Sequence, residues 1–393
     1  MSRGARALGL GLAMAVVVVL ASVSALAAAS PAPRGVTSGV QLEGVSADSA
    51  TDAWAVGSMS SNPQQGVIFH WGGQSLSQMP SPAPGQLLGV SADSPTDAWA
   101  VGSYAVPRAH VVRTVVIHWN GSAWSTVQGP NPASFFDELD SVHAISRTDV
   151  WALGYSIASP GGQHQLLVVR WNGTQWSQVG VPPVVAKHIL LTGFTAFAPI
   201  SATRALSLAS GVIPVGHGVI ESDRIMSWNG RKWSRTTRLF GAALSGVGVA
   251  SDGDAWAVGY TCAGLARFHR RCPPFRAMTL HWNGRHWRYV PNPGLEDSRL
   301  FNVTAQSPSD VWAVGRHCAP EAVAFRTGSC SHPVALILRW DGARWSKVPS
   351  PSSSITLTSA VSPVSATDAW VLGKGSAGTT VLLHWDGSTW TQL

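Results

Sequence analysis

The sequence predicts an all-β fold, a seven-bladed β-propeller with four antiparallel strands per blade. Three observations carry that expectation: a sevenfold internal repeat, four strand-like runs in each repeat, and a tryptophan set that belongs wholly to the repeat. The chain has 393 residues, of which 19 are Trp. So much indole needs a large packed core or many stacking platforms. Charged residues make up 12% and hydrophobic residues 45%, against a usual charged share of about a quarter. Gly and Pro, 40 and 25 residues, make the chain rich in turns but stay below the level that signals disorder. A coiled coil, a collagen-like chain and a disordered chain are excluded.

One repeat reads LLGVSADSPTDAWAVGS and then TVVIHWNGSAWSTV. Its first half begins at Leu42, Leu87, Leu139, Leu191, Leu244, Leu300 and Leu357. The strand-two tryptophans are Trp54, Trp99, Trp151, Trp256, Trp312 and Trp370, with Leu206 in the fourth repeat. The period is about 53 residues, within the range of propeller blades. The four runs of a repeat, L-x-G-V-S-A, D-A-W-A-V-G, V-I-H-W and W-S-x-V, are short and rich in Val, Ile, Leu and Trp, so they read as strands. Asn-Gly or Asp-Gly after the second Trp is a hairpin signal, and Gly72-Gly73 replaces it in the first repeat. A small four-stranded sheet cannot bury both faces alone, so the repeats must pack on one another. Blades are expected at about 42–80, 87–129, 139–180, 191–235, 244–291, 300–349 and 357–393, with no strand shared between the first and last.

In strand two, Trp54 and Val56 point to one face and Ala53, Ala55 and Gly57 to the other. Large residues of one blade would interlock with small residues of the next. The rival use of the Trp column is a ring of sugar-stacking platforms. The recurrent Asp52, Asp97, Asp149, Asp254, Asp310 and Asp368 are expected to hold turns through side-chain bonds to nearby backbone N–H groups. His70, His118, His281 and His384 alternate with Arg or Ser between repeats, which argues for packing and against metal ligation.

The unit resembles a kelch-type blade, in which strand two ends in Gly and a tight turn leads to a Trp-bearing strand four. Ala55-Val56-Gly57 and His118-Trp119-Asn120-Gly121-Ser122-Ala123-Trp124 carry the resemblance. The kelch double glycine is missing, because the single Gly is followed by Ser, Tyr, Arg or Lys. The Asp-box of sialidase-type propellers is not matched, since Gly387 falls one position early. The repeat also resembles that of secreted bacterial propeller proteins. Kelch-like folds host both oxidases and binding modules, so the resemblance implies a fold and leaves the activity open.

Residues 1–29 have the layout of a secretory signal peptide: Arg3 and Arg6, an uncharged run, then Ala25-Leu26-Ala27 or Ala27-Ala28-Ala29 as cleavage sites. An uncleaved anchor is the alternative reading. Residues 30–41 are then a leader before the propeller. The product is expected to be secreted or held at the cell surface, as a monomer with no membrane span after cleavage. A net charge of +7 over the whole chain is a weak argument for nucleic acid, and none is expected as a partner.

Antiparallel strands alternate their connections between two faces. The one-two and three-four turns are short and uniform. The two-three loops and the blade connections vary, and variable loops on a rigid scaffold are where sites are grafted. Two such loops carry the four cysteines, Cys262 with Cys272 and Cys318 with Cys330. Pairing within each loop is the economical arrangement in an exported chain, and the spacings are not those of a zinc site. The same loops bear Arg267, His269, Arg270, Arg271 and Arg276, then Arg316, His317 and Arg326. Arg carries no useful pKa near neutrality, so this patch points to anion recognition and away from acid–base chemistry. The acids left outside the repeat are Asp137, Glu138, Glu221, Asp223, Glu296, Asp297 and Glu321. The sequence reading therefore favours a non-enzymatic binder of an extracellular protein or acidic glycan, without cofactor or metal. The alternative is a carbohydrate-active hydrolase or lyase using loop carboxylates on the same face.

Overall fold

The computed structural model describes residues 36, 39–181, 185–186, 189–215, 218–240, 242–262, 275–294, 297–318, 330, 332–375 and 378–393. The expected signal segment and most of the first cysteine loop lie outside them. Among the described residues 29 strands form six sheets and there is no helix. Sheets of four run from Val40 to Met79, from Ala242 to Tyr289, from Ser298 to Val348 and from Ile355 to Gln392. The fourth repeat has a fifth short strand, Val185–Ala186. The second and third repeats each form a four-stranded meander, and a single parallel pairing of Val112 with Phe136 joins them into one sheet of eight. The first strand begins at Val40, two residues before the expected start of the first blade at Leu42, because Val40 and Gln41 pair with Met59 and Ser58.

Buried side chains gather where consecutive repeats meet. Trp54, Val56 and Ile68 of the first repeat pack against Ala98, Ala100 and Val115 of the second. Trp99 does the same on Ala152 and Val169 of the third, and Leu206 of the fourth takes the Trp position against Ala255 and Ala257 of the fifth. Trp370, Leu372 and Leu382 of the last repeat cluster with Val40, Leu42 and Ala53 of the first. The array is thereby closed, and the Ala47 N–H donates to Ser362 Oγ at 2.9 Å across the closure. Trp54, Trp99, Trp151, Trp256, Trp312 and Trp370 are all at most 1% exposed. They are packing residues, and none is available for stacking on a sugar.

The Asp column differs from its expected turn role. Each strand-two Trp faces a His or Arg on strand three, as in Trp99 opposite His118. The imidazole lies on the indole, with ring centroids 4.2 Å apart for Trp99 and His118. It reaches the Asp two residues before the Trp, at 2.5 Å for His118 with Asp97. Asp52 pairs with His70, Asp149 with Arg170 at 2.6 Å, Asp254 with His281 at 3.0 Å, Asp310 with Arg339 at 2.9 Å, and Asp368 with His384 at 3.3 Å. Residues i and i+2 share a strand face, and a long side chain opposite one can reach the other. The carboxylate is thus spent on a cross-strand partner that lids the buried indole.

Strand one of each repeat forms the inner wall of an axial channel of about 500 Å³. A register shift early in strand one inserts one residue that faces the channel, after Leu42, Leu87, Leu139, Leu244 and Leu300 and, in the last repeat, after Thr358. The channel wall near this level includes Glu43, Leu88, Asp140, Ser245, Phe301 and Ser359. A second cavity of about 210 Å³ includes His143, Pro199, Gly248 and Thr304.

Candidate functional site at the channel mouth

Just outside the inserted residue, strand one faces the residue that follows the strand-two Gly. The pairs are Gln41 with Ser58, Gln86 with Ser103, Glu138 with Tyr155, Ala243 with Tyr260, and Arg299 with Arg316. These pairs lie toward the two-three loops. They change chemistry from repeat to repeat while the backbone stays the same, and they polarise the mouth.

The basic sector belongs to the fifth and sixth repeats. The Arg299 guanidinium lies 3.7 Å from the centroid of the Phe275 ring and 5.1 Å from that of Tyr260. The two rings meet edge to face with centroids 5.2 Å apart. Burial, and then the charge of Arg316, lowers the Arg299 pKa. Like charges on directly opposed strand positions repel, so an anion between Arg299 and Arg316 would relieve both. A guanidinium over an aromatic face can still offer its N–H fork to a carboxylate or sulfate.

The expected site residues fall unevenly around this sector. Arg316 is half-buried beside Arg299, and Arg276 is exposed one residue beyond Phe275. His317 is turned inward, 9% exposed, with Nδ1 against the Cys318 carbonyl at 3.2 Å and Nε2 3.5 Å from Lys347 Nζ. Burial lowers its pKa, so it supports the wall and does not line the surface. Arg267, His269, Arg270, Arg271 and Arg326 lie outside the described residues. Cys318 and Cys330 form a disulfide with Cα atoms 5.6 Å apart. The Cys262 side chain and Cys272 are outside the description. Asp297 lies close to both Cys318 and Cys330, but the disulfide leaves no thiolate to bind a metal.

The acidic sector belongs to the third repeat. Glu138, 8% exposed, accepts from Ser103 Oγ at 2.5 Å and from Gln86 Nε2 at 3.0 Å. Asp140 hydrogen-bonds to Glu138, and desolvation together with the Glu138 charge pushes its pKa up to about 7. Burial and Glu138 push the Tyr155 phenol up to about 12, so it is a neutral donor at ordinary pH. Its ring stacks between Phe136 and His164, at centroid distances of 5.2 and 4.7 Å. The other expected acids with described side chains are structural. Asp137 accepts the Ala133 N–H at 3.1 Å, Asp223 the Leu244 N–H at 2.6 Å, and Asp297 the Phe275 N–H at 3.4 Å. Glu221, Glu296 and Glu321 have no described side chains.

Sequence reasoning missed Arg299, Asp140 and the aromatic pair Tyr260 and Phe275. Arg299 and Asp140 lie in or beside the L-x-G-V strand, which reads as packing. For Asp140 the available signal was the variable position after the initial Leu, which is Glu43, Leu88, Asp140, Thr192, Ser245, Phe301 and Thr358 in the seven repeats.

No family model matches the chain, and no curated protein matches it. Solved structures do. YCF48 from Cyanidioschyzon merolae superposes with a TM-score of 0.54 at 13% identity, over 89% of this chain and 97% of that one. A polysaccharide lyase of family PL25, an ulvan lyase, was solved bound to -[GlcA(1-4)Rha3S]-. It gives 0.53 at 10% identity over 88% and 92% of the two chains. The GH74 xyloglucanase from Xanthomonas campestris gives 0.53 at 13%, over 91% of this chain and 55% of that one. At such identities the likeness speaks for the fold alone: the chain is a β-propeller.

Proposed function

We propose that this is an exported, seven-bladed, kelch-like propeller that acts as a monomeric, non-enzymatic binding module for an acidic glycan. The observation that carries the reading is the Arg299 and Arg316 pair, set beside Phe275 and Tyr260 at the mouth of the axial channel. Two guanidinium forks suit carboxylate or sulfate groups, and the flanking rings suit the apolar faces of sugar rings. On this reading Arg267, His269, Arg270, Arg271 and Arg326 belong to the same anion-binding patch. Propellers of similar fold have been solved with a peptide and with a uronate-containing saccharide bound. The charge of this mouth favours the second class.

The test is binding of the mature protein to immobilised polyglucuronate, dextran sulfate and dextran. Affinity is expected for the two charged polymers, with a roughly tenfold or greater loss in Arg299→Gln and in Arg316→Ser, the scale of one charge-assisted hydrogen bond. Equal affinity of parent and both variants for the charged polymers would sink the reading. A lyase or hydrolase is the second reading, supported by Glu138, Asp140 and Tyr155 at the same mouth. It requires new reducing ends or unsaturated ends to appear on incubation with the polymer.

A further inference from the structure

In strand three, the residue opposite the strand-two Gly is a core position. It is Val67, Val115, Leu167, Met278, Leu336 and Val381 in six repeats, and each is at most 8% exposed. In the fourth repeat the same position, opposite Ala209, is Arg224. Arg224 is only 5% exposed. Its Nε and Nη2 are buried without a hydrogen-bond partner, and no described carboxylate forms an ion pair with it.

The surroundings add positive charge. The outer strand of the fourth repeat, Trp233–Phe240, has eight residues, where its counterparts have three or four. The extension sets Arg238 directly opposite Arg224. Arg235, paired with Met226, lies on the same sheet face by alternation. Both are exposed. Burial, and then the charges of Arg235 and Arg238, lowers the Arg224 pKa. A desolvated guanidinium with no counter-charge among the described residues is costly, and two neighbouring cations add to that cost. A buried Arg in place of a valine, under an extended strand that supplies a second Arg, is an arrangement that a bound anion completes.

We propose that the fourth repeat holds an oxyanion site, with Arg224 as its buried anchor and Arg238 and Arg235 closing it from the rim. The ligand is a sulfate, phosphate or carboxylate group, either free in solution or borne on a polymer. The site is separate from the channel mouth and does not rest on the glycan reading.

The experiment is thermal unfolding of the mature chain at constant ionic strength, with sodium chloride replaced stepwise by sodium sulfate. Sulfate stabilises proteins in general by exclusion from their surfaces, so the readout is the difference between parent and variants. The parent should gain a saturable rise in Tm of several degrees. Arg224→Leu, which restores the residue type of the other repeats, should melt higher than the parent in chloride and lose the saturable rise. Arg238→Ser, on the exposed strand, tests the site without touching the core and should raise the half-saturating sulfate concentration about tenfold. Arg299→Gln should keep the full rise, which separates this site from the mouth. Dextran sulfate at matched sulfate-group concentration distinguishes the source: a rise there that Arg224→Leu loses assigns a polymer-borne group, and a rise with inorganic sulfate alone assigns a free anion. Equal sulfate responses in parent and Arg224→Leu overturn the proposal. So does a lower Tm of Arg224→Leu in chloride, since it would show that Arg224 is satisfied by the protein itself.

Discussion

An indole sealed between two sheets, with an imidazole on its face and a carboxylate behind the imidazole, is the smallest device in this molecule. Trp99, Asp97 and His118 show it fully. Replacing Trp99 with Ala should cost about 3–5 kcal/mol, the usual range for a buried Trp, read by chemical denaturation. A variant that unfolds at the parent midpoint would show that the ring is not structural. Two channel residues set opposite pH trends. Asp140 has its pKa raised from 3.8 to about 7 by burial and Glu138. The folded state therefore holds that proton more tightly than the unfolded chain, and stability falls as pH rises from about 4 to about 7. His143 has its pKa lowered from 6.5 to about 4 by burial, so stability falls as pH drops from about 6.5 to about 4. Asp140→Asn should remove the first loss. His143→Ser, which restores the Ser46 and Ser91 residue type, should remove the second. Tm measured across that range checks both slopes. The Trp column was legible in the sequence because one rare residue recurs at one spacing. Asp140 and Arg224 were not, because only the register of the strands shows that one faces the channel and the other replaces a core valine.

Strand two carries a Gly because strand one shifts its register beside it, and the strand runs on past that Gly, as from Gly102 to Val106. A Cβ on Gly102 would lie 1.9 Å from the Gln86 carbonyl oxygen, and Gly57, Gly154, Gly259 and Gly315 are equally close to theirs. Gly102→Ala should therefore cost about 3 kcal/mol, near the top of the usual single-site range, again read by denaturation. An effect below about 0.5 kcal/mol, the size of a neutral surface change, would mean that the close approach is not real. The turn after the second Trp obeys a different rule. Asn120 Oδ1 accepts the Ser122 and Ala123 N–H groups, and Gly121 adopts φ +93°. The chain showed that turn directly, since Asn-Gly demands it. The single glycine of strand two read as the end of the strand, whereas the strand continues beyond it, to Met59 in the first repeat and Val106 in the second. Its cause lies in the neighbouring strand, which periodicity does not reveal.

At the scale of the whole chain, the order of packing was legible because each repeat offers large side chains on one face of strand two and alanines on the other. Closure followed only from the propeller reading as a whole, since no local signal says that Trp370 meets Ala53. Binding through the mouth should weaken as salt rises, because exposed charges are screened beyond about 8 Å at physiological ionic strength. An affinity for dextran sulfate unchanged between low and high salt would place binding elsewhere. Deleting residues 355–393 should leave Trp312 of the sixth repeat without its cover of Ala369 and Val371, and the shortened chain is expected to bind a hydrophobic dye and to lose its cooperative melt. The contact between repeats is also directional, for the tryptophan face of one always meets the alanine face of the next. In symmetry terms it is a heterologous interface, the kind that yields a ring when its rotation closes and a filament when it does not. Within one chain the ring closes, and the two faces are never free together. A chain interrupted between repeats would present both at once, and its natural partner would be the broken end of another copy.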